Sequence, residues 1–160
     1  MTAHGWPRAL LAAAALSLAS CADPDPDAPP TIVYGESVCA DCDMIINDAR
    51  FASALIAEDD RGRAITLLFD DIGDQLRLER ERPGLKVLAR WTHDHGTSEW
   101  IRAESAHFMR SERFHTPMAS GIAAFASRAD AEALAEREQG VILTFEQLRA
   151  ATAPSQGAQP

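Results

Sequence analysis

The chain is short of the features that would make it a membrane-spanning protein, a nucleic-acid binder or an enzyme. Its signal-like apolar run, from Ala9 to Leu18, falls well below the roughly 20 residues that a spanning helix needs. Cations are scarce, with 15 Lys and Arg against 24 Asp and Glu and a formal net charge of −9. So acidic a body is a poor nucleic-acid partner and is repelled by anionic lipid head groups. Cysteine occurs only three times, at positions 21, 39 and 42. No second cysteine pair and no histidine pair at ligand spacing follows Cys39-x-x-Cys42, which leaves a zinc ribbon unsupported. Asp43 stands where covalent haem attachment needs a histidine, which excludes a c-type haem. Nothing resembles a Ser-His-Asp or Cys-His arrangement with an orienting third group, so a non-enzymatic role is expected.

What is present begins at the amino end. A single cation, Arg8, precedes the Ala/Leu run, the pattern of a secretory signal. Leu18-Ala19-Ser20-Cys21 resembles a bacterial lipobox, which implies cleavage after residue 20 and a lipid on the thiol of Cys21. A plain signal peptide with Cys21 an idle thiol is the blander alternative. Loss of residues 1–20 removes Arg8 and no acid, so the mature chain carries −10 and its membrane attachment must come from the lipid. Because Ala22 is not Asp, sorting to the outer membrane is the expectation by resemblance to Gram-negative lipoproteins. From Ala22 to Pro30 aspartate and proline dominate, a composition expected to give a stiff extended spacer. The anchor and linker thus occupy 21–36, the metal-binding domain 37–150, and a loose, small-residue tail 151–160.

The folded part reads as α+β. Phe51 to Ala57 and Ala64 to Phe69 are apolar, β-rich runs joined by a polar, glycine-containing stretch, and predict a hairpin. Asp70 or Asp71 caps a helix carrying Ile72, Leu76 and Glu79, which Pro83-Gly84 stops, and a strand follows from Leu85 to Trp91. The order then recurs: candidate strands at Phe108-Met109 and Ile122 to Phe125, a helix capped by Ser127 and ended by Gly140, and a strand from Val141 to Phe145. Aligning Phe69 with Phe125 brings the two copies nearly into register. The expectation is a single compact domain of two tandem ββαβ-type units.

Cys39-Ala40-Asp41-Cys42-Asp43-Met44 lies on a loop ahead of the first strand. Thiolate and thioether sulfur are soft donors suited to Cu(I). In an extended segment Cys42 and Met44, two residues apart, would point to one side. Two other readings stay open. A Cys39–Cys42 disulfide fits an oxidising compartment. A thioredoxin-like thiol-disulfide oxidoreductase would use the same pair, with Thr116-Pro117 facing it, although such a pair should open a helix and no helical period follows. Met118, between Pro117 and Gly121, is placed on a loop leading into the second unit, as the cysteine loop leads into the first, so that pseudo-twofold packing could join them. A core role for Met118 is the alternative, and Met109 is read as core. His115 is a reserve ligand and His107, in a strand, faces inward or reaches the site. His93 and His95 read as solvated residues of a hairpin tip, with a divalent ion held by the two imidazoles as the alternative, and Asp70 and Asp71 read as helix caps.

These residues together resemble the NosL family of nitrous oxide reductase accessory lipoproteins. The likeness runs through Cys39-x-x-Cys42-x-Met44-x-Ile46, Asp48-x-Arg50-Phe51-Ala52, Phe69-Asp70-Asp71-Ile72-Gly73-Asp74, Trp100-Ile101-x-Ala103, Ala106-His107-Phe108 and Thr116 to Phe125. It implies a periplasm-facing metallochaperone that supplies Cu(I) to nitrous oxide reductase for its copper-sulfur centre. It transfers the sulfur ligands onto Cys42 and Met44, with Met118 third and Cys39 variable. Asp43 in place of glycine, and Met118-Ala119-Ser120-Gly121 in place of Met-Gly-Ser-Gly, are departures from the family pattern.

Overall fold

The computed structural model describes residues 23–152, so the signal-like segment, the Cys21 lipobox and the residues after 152 lie outside it. Among the described residues no helix is long and apolar enough to cross a membrane. The chain runs β1 (Ser53–Glu58), β2 (Ala64–Phe69), α1 (Ile72–Glu81), β3 (Val87–His93), β4 (Trp100–Arg102), a 3-10 turn (Ala103–Ser105), β5 (His107–Arg110), β6 (Ile122–Phe125), α2 (Arg128–Glu138), β7 (Val141–Thr144) and α3 (Phe145–Thr152). The strands form two antiparallel sheets, ordered β2-β1-β3-β4 and β6-β5-β7. In each, the first strand of a ββαβ unit takes the centre and the strand after the helix returns to its free side. The α+β expectation and the tandem units are therefore both present.

Local chemistry explains the elements. Ser53 to Ala57, the centre of the first sheet, is buried throughout, as a strand flanked on both sides must be. Asp71 is extended at φ −148° and accepts a hydrogen bond from Gly73 N–H, which caps α1; Ser127 does the same for α2 through Asp130 N–H. Helix α2 ends on Gln139, which takes the left-handed conformation itself at φ 54°, one residue before the expected Gly140. Gly140 is instead required by packing, since a Cβ there would stand 2.5 Å from Met109 Sδ. Met109 is fully buried among Phe125, Leu134 and Ala135, as expected of a core methionine.

One apolar cluster, made of Ile72 and Leu76 from α1, Phe108, Ile122 and Ala124 from the second sheet and Phe145 and Leu148 from α3, joins the two units. Helix α3 is absent from the sequence expectation, which ran a strand through Phe145 and loosened the chain from Ala151. Arg90 reinforces the junction, pairing with Glu79 at 2.7 Å and Glu104 at 3.3 Å while its guanidinium lies over Phe145. The Asp/Pro segment also differs from a free spacer. Pro24 to Thr31 shares a cleft with Ile56, Thr66 and Leu68, and the Pro26 carbonyl accepts from Arg102 Nη1 at 2.9 Å.

The His93-Asp94-His95 tip is not solvated. His93 Nδ1–H donates to the Ala52 carbonyl at 2.9 Å, Nε2 accepts from the Tyr34 hydroxyl at 3.2 Å, and the ring stacks 3.7 Å from Trp100. His95 sits among Phe51, Phe114 and Phe125, and its N–H donates to the Ala124 carbonyl of the second unit. Asp94 accepts from Gly96, Thr97 and, across the junction, Ala126 N–H at 2.7 Å. Ring packing replaced the turn exposure that two histidines beside a glycine suggested. Burial lowers the affinity of both rings for a proton below the usual histidine range. A histidine held neutral contributes stability that is present above its unfolded pKa and lost as pH falls through it. Urea unfolding should therefore show stability declining from near pH 6.5 downward, by up to about 1.4 kcal/mol per pH unit for each histidine. A flat profile between pH 7.5 and 5.5 would contradict this account.

Candidate metal centre

The cysteine loop is a closed structure. Val38 and Ile45 form an antiparallel bridge, Cys39 N–H donates to the Met44 carbonyl at 2.8 Å, and Asp43 N–H donates to the Cys39 carbonyl. Asp43 turns the chain with φ 60°, a value that L-residues adopt sparingly and aspartate tolerates better than most. Ala40 N–H pins the loop to the Leu68 carbonyl of β2. Cys39 is thereby carried into the core beneath Ile46, Leu55 and Phe69, at 1% exposure, while Cys42 stays half-buried.

Facing these thiols is the first turn of α1. Asp70 stands just before the N-cap Asp71 and Asp74 in the first turn, and each carboxylate reaches one of the thiols. Ligand atoms of Cys39, Cys42, Asp70 and Asp74 all lie within 4.8 Å of one another. Cys39 S–H donates to Asp74 Oδ2 at 3.5 Å and Cys42 S–H to Asp70 Oδ1 at 3.6 Å. Arg77, one turn further on, pairs with Asp74 at 2.7 Å and closely with Asp41 of the cysteine loop. The guanidinium thus fastens loop to helix and offsets part of the negative charge.

Burial governs the proton affinities. Desolvation raises the pKa of Cys39 and of Cys42, and the neighbouring thiol and carboxylate push Cys42 further up. Asp74 is raised as well, chiefly by desolvation, against the opposing pull of the thiol hydrogen bonds and Arg77. An empty centre therefore holds protonated thiols at neutral pH, each donating to a carboxylate.

The second unit reaches this place by the β5–β6 loop, residues 111–121. Asp71, wholly buried, accepts from the Thr116 hydroxyl at 2.6 Å and from Met118 N–H at 3.2 Å through the same Oδ2. Gly73 makes the approach possible, because a Cβ there would stand 2.5 Å from Ser120 Cβ. Met118 consequently lines a cleft of about 240 Å³ together with Gly73, Asp74 and Arg77.

A family model described as NosL matches residues 30–153. The chain belongs to the NosL family. The crystal structure of the copper chaperone NosL from Shewanella denitrificans is similar over 77% of this chain and 96% of that one, with a TM-score of 0.64 and 22% identity. That likeness shows a shared fold. No curated protein matches the sequence.

Within this NosL fold the expected site residues divide. Cys39 and Cys42 are brought together, and the Met118 loop docks on the start of α1, where Met118 shares a cleft with Asp74. The route differs from the one expected, for the loop connects β5 to β6 inside the second unit and does not lead into it. Met44 is 54% exposed, and the extended backbone that would have set it parallel to Cys42 is broken by Asp43. His115 is exposed on the Met118 loop, and His107 lies in β5 between Phe125 and Thr144, outside the sulfur-carboxylate cluster. Both thiols are free, and their raised pKa values and loop setting lack the lowered thiolate pKa and helix start of a thioredoxin-like pair.

Asp74, Arg77 and Asp41 were not foreseen as site residues, and Asp70 was read only as a cap. The available signal was Asp70-Asp71-x-x-Asp74, three carboxylates close together in sequence at a helix start. Asp71→Ala should lower stability by about 1–3 kcal/mol, since it removes the cap and leaves Thr116 and Met118 donors unpaired. Amide exchange should show the Met118 loop losing protection together with the start of α1. Loss of protection at only one of them would dissolve the proposed tether.

Proposed function

We propose that this protein is an envelope metallochaperone, not an enzyme, that carries Cu(I) and delivers it to nitrous oxide reductase for assembly of the copper-sulfur centre. The observation that carries this reading is the pair of thiols, Cys39 and Cys42, fixed within reach of each other inside a NosL fold, with the Met118 loop docked on the adjoining start of α1. The likeness to a copper chaperone supports copper as the cargo. Cys42 is the central ligand, being the less buried thiol. Met118 and the exposed Met44 are the thioethers that could complete a low-coordinate sulfur set, and Cys39 is a fourth sulfur. His115 and His107 are held in reserve. Low coordination lets an acceptor's ligand bind before the donor's leaves. The lipid on Cys21 and an outer-membrane location, with no nucleic-acid partner, complete the proposal.

Titration of the reduced protein with Cu(I) against a competing chelator tests it. Cys42→Ser, Met44→Ala and Met118→Ala should each weaken binding by about 10- to 100-fold, the scale expected when a ligand or its support is lost. Cys39→Ser should retain part of the affinity. Retention of wild-type affinity by Cys42→Ser would end the reading.

The pH dependence separates the ligand sets. Because burial raises both thiol pKa values, each thiolate that binds releases a proton at neutral pH. Affinity should therefore rise with pH, by up to about tenfold per unit if Cys42 alone is deprotonated and about a hundredfold if Cys39 joins it. Titrations at pH 6.5, 7.5 and 8.5 measure that slope, and a slope of zero would exclude thiolate ligation.

A further inference from the structure

The two thiols are distinguished by the groups they donate to. Cys39 S–H goes to Asp74 Oδ2 at 3.5 Å and Cys42 S–H to Asp70 Oδ1 at 3.6 Å. Both carboxylates are buried, Asp74 wholly and Asp70 at 4% exposure. The other oxygen of Asp74 is held by Arg77 at 2.7 Å, and Arg77 is shared with Asp41, one of the two residues between the cysteines. Each of the two buried acids therefore relies on a thiol for a donor that water does not supply.

The same turn sets the sulfurs up for oxidation. Ala40 to Cys42 turn the chain, Asp43 N–H closes the turn on the Cys39 carbonyl, and the two sulfurs lie within 4.8 Å of each other. In an oxidising compartment an incoming disulfide meets Cys42, the less buried thiol, first. Cys42 displaces one thiol from that disulfide, Cys39 displaces the second from the mixed disulfide, and two electrons and two protons pass from the pair to the oxidant. Dithiol and disulfide are both neutral, so what oxidation removes here is the two S–H donors. A buried acceptor that loses its donor is costly, and more so when it is charged.

We propose that Asp70 and Asp74 are positioning residues that bias Cys39 and Cys42 toward the dithiol, keeping the pair ready for a soft ion where disulfides otherwise form. Oxidation takes from each acid its sulfur donor and leaves Asp74 to Arg77, which favours return to the thiols. A disulfide has no thiolate to give, so the state of the pair also gates copper uptake. That last step rests on the copper-carrier reading above. The bias toward the dithiol does not.

The test equilibrates the full chain, carrying Cys21→Ser so that no third thiol exchanges, with graded ratios of reduced and oxidised glutathione, and counts free thiols by alkylation and mass. Asp70→Asn and Asp74→Asn keep the side-chain shape and remove the charge, and each should move the equilibrium toward the disulfide by about three- to tenfold, a shift of roughly 15 to 30 mV. Leu134→Ala, a core truncation in the second unit, should lower stability and leave the equilibrium in place. Should Asp74→Asn not fold, Asp70→Asn decides alone. Asparagine variants that leave the equilibrium unchanged, or move it toward the dithiol, overturn the proposal, as does an equal shift in Leu134→Ala. Cu(I) titrated against a chelator should bind the dithiol and not the disulfide. Equal binding by the two forms would sink the gate and with it the carrier reading, while the glutathione shift would still stand.

Discussion

Asp71 is a carboxylate buried at the junction of the two ββαβ units, where an unpaired charge would cost on the order of several kcal/mol. Three donors surround it: Gly73 N–H from its own helix, and Thr116 O–H and Met118 N–H from the opposite unit. One oxygen of the group caps α1 and the other holds the β5–β6 loop, so the helix start and the loop are fixed against each other. Gly73 adds the steric half of the same constraint by leaving room for Ser120. The positions of Asp70 and Asp74, and so the cup that faces the two thiols, follow from where that helix starts.

Electrostatics of the cup bear on which ion it suits. Asp41, Asp70, Asp74 and two thiols are gathered around one guanidinium, Arg77. Raised thiol pKa values keep the empty cup from accumulating further negative charge. Exchange of one thiol proton for a monovalent ion leaves the local charge unchanged. Under the function proposed here, the softness of the two sulfurs is what favours monovalent copper.

Much of the fold was legible because its elements obey local rules. Asp71 and Ser127 follow matching phenylalanines, Phe69 and Phe125, and each caps the helix of its unit. Helix α3 escaped because Val141 to Phe145 reads as one apolar run, and only the junction core around Phe145 and Leu148 shows why the chain turns helical there. The thiol pair was visible in the spacing, but its depth was not, since Cys39 is buried by a turn that depends on Asp43 adopting positive φ. His93 and His95 misled for a tertiary reason: Tyr34, Trp100, Phe51 and Phe114, distant in sequence, enclose a tip that local composition paints as exposed. Arg77 acquires a role only once Asp41 and Asp74 are neighbours, and no local pattern supplies that.

The two units are unequal at one place. The β1–β2 connection of the first unit is a short polar turn, whereas its counterpart in the second runs from Ser111 to Gly121 and crosses to the first unit's helix. The sulfur-bearing segments therefore come from opposite halves of one chain. An ion bridging them would act as a removable crosslink, stiffening the seam when present and letting it open locally when lost. Cargo occupancy would then be written into the mechanical coupling of the halves, a difference that a docking partner could feel without touching the ion.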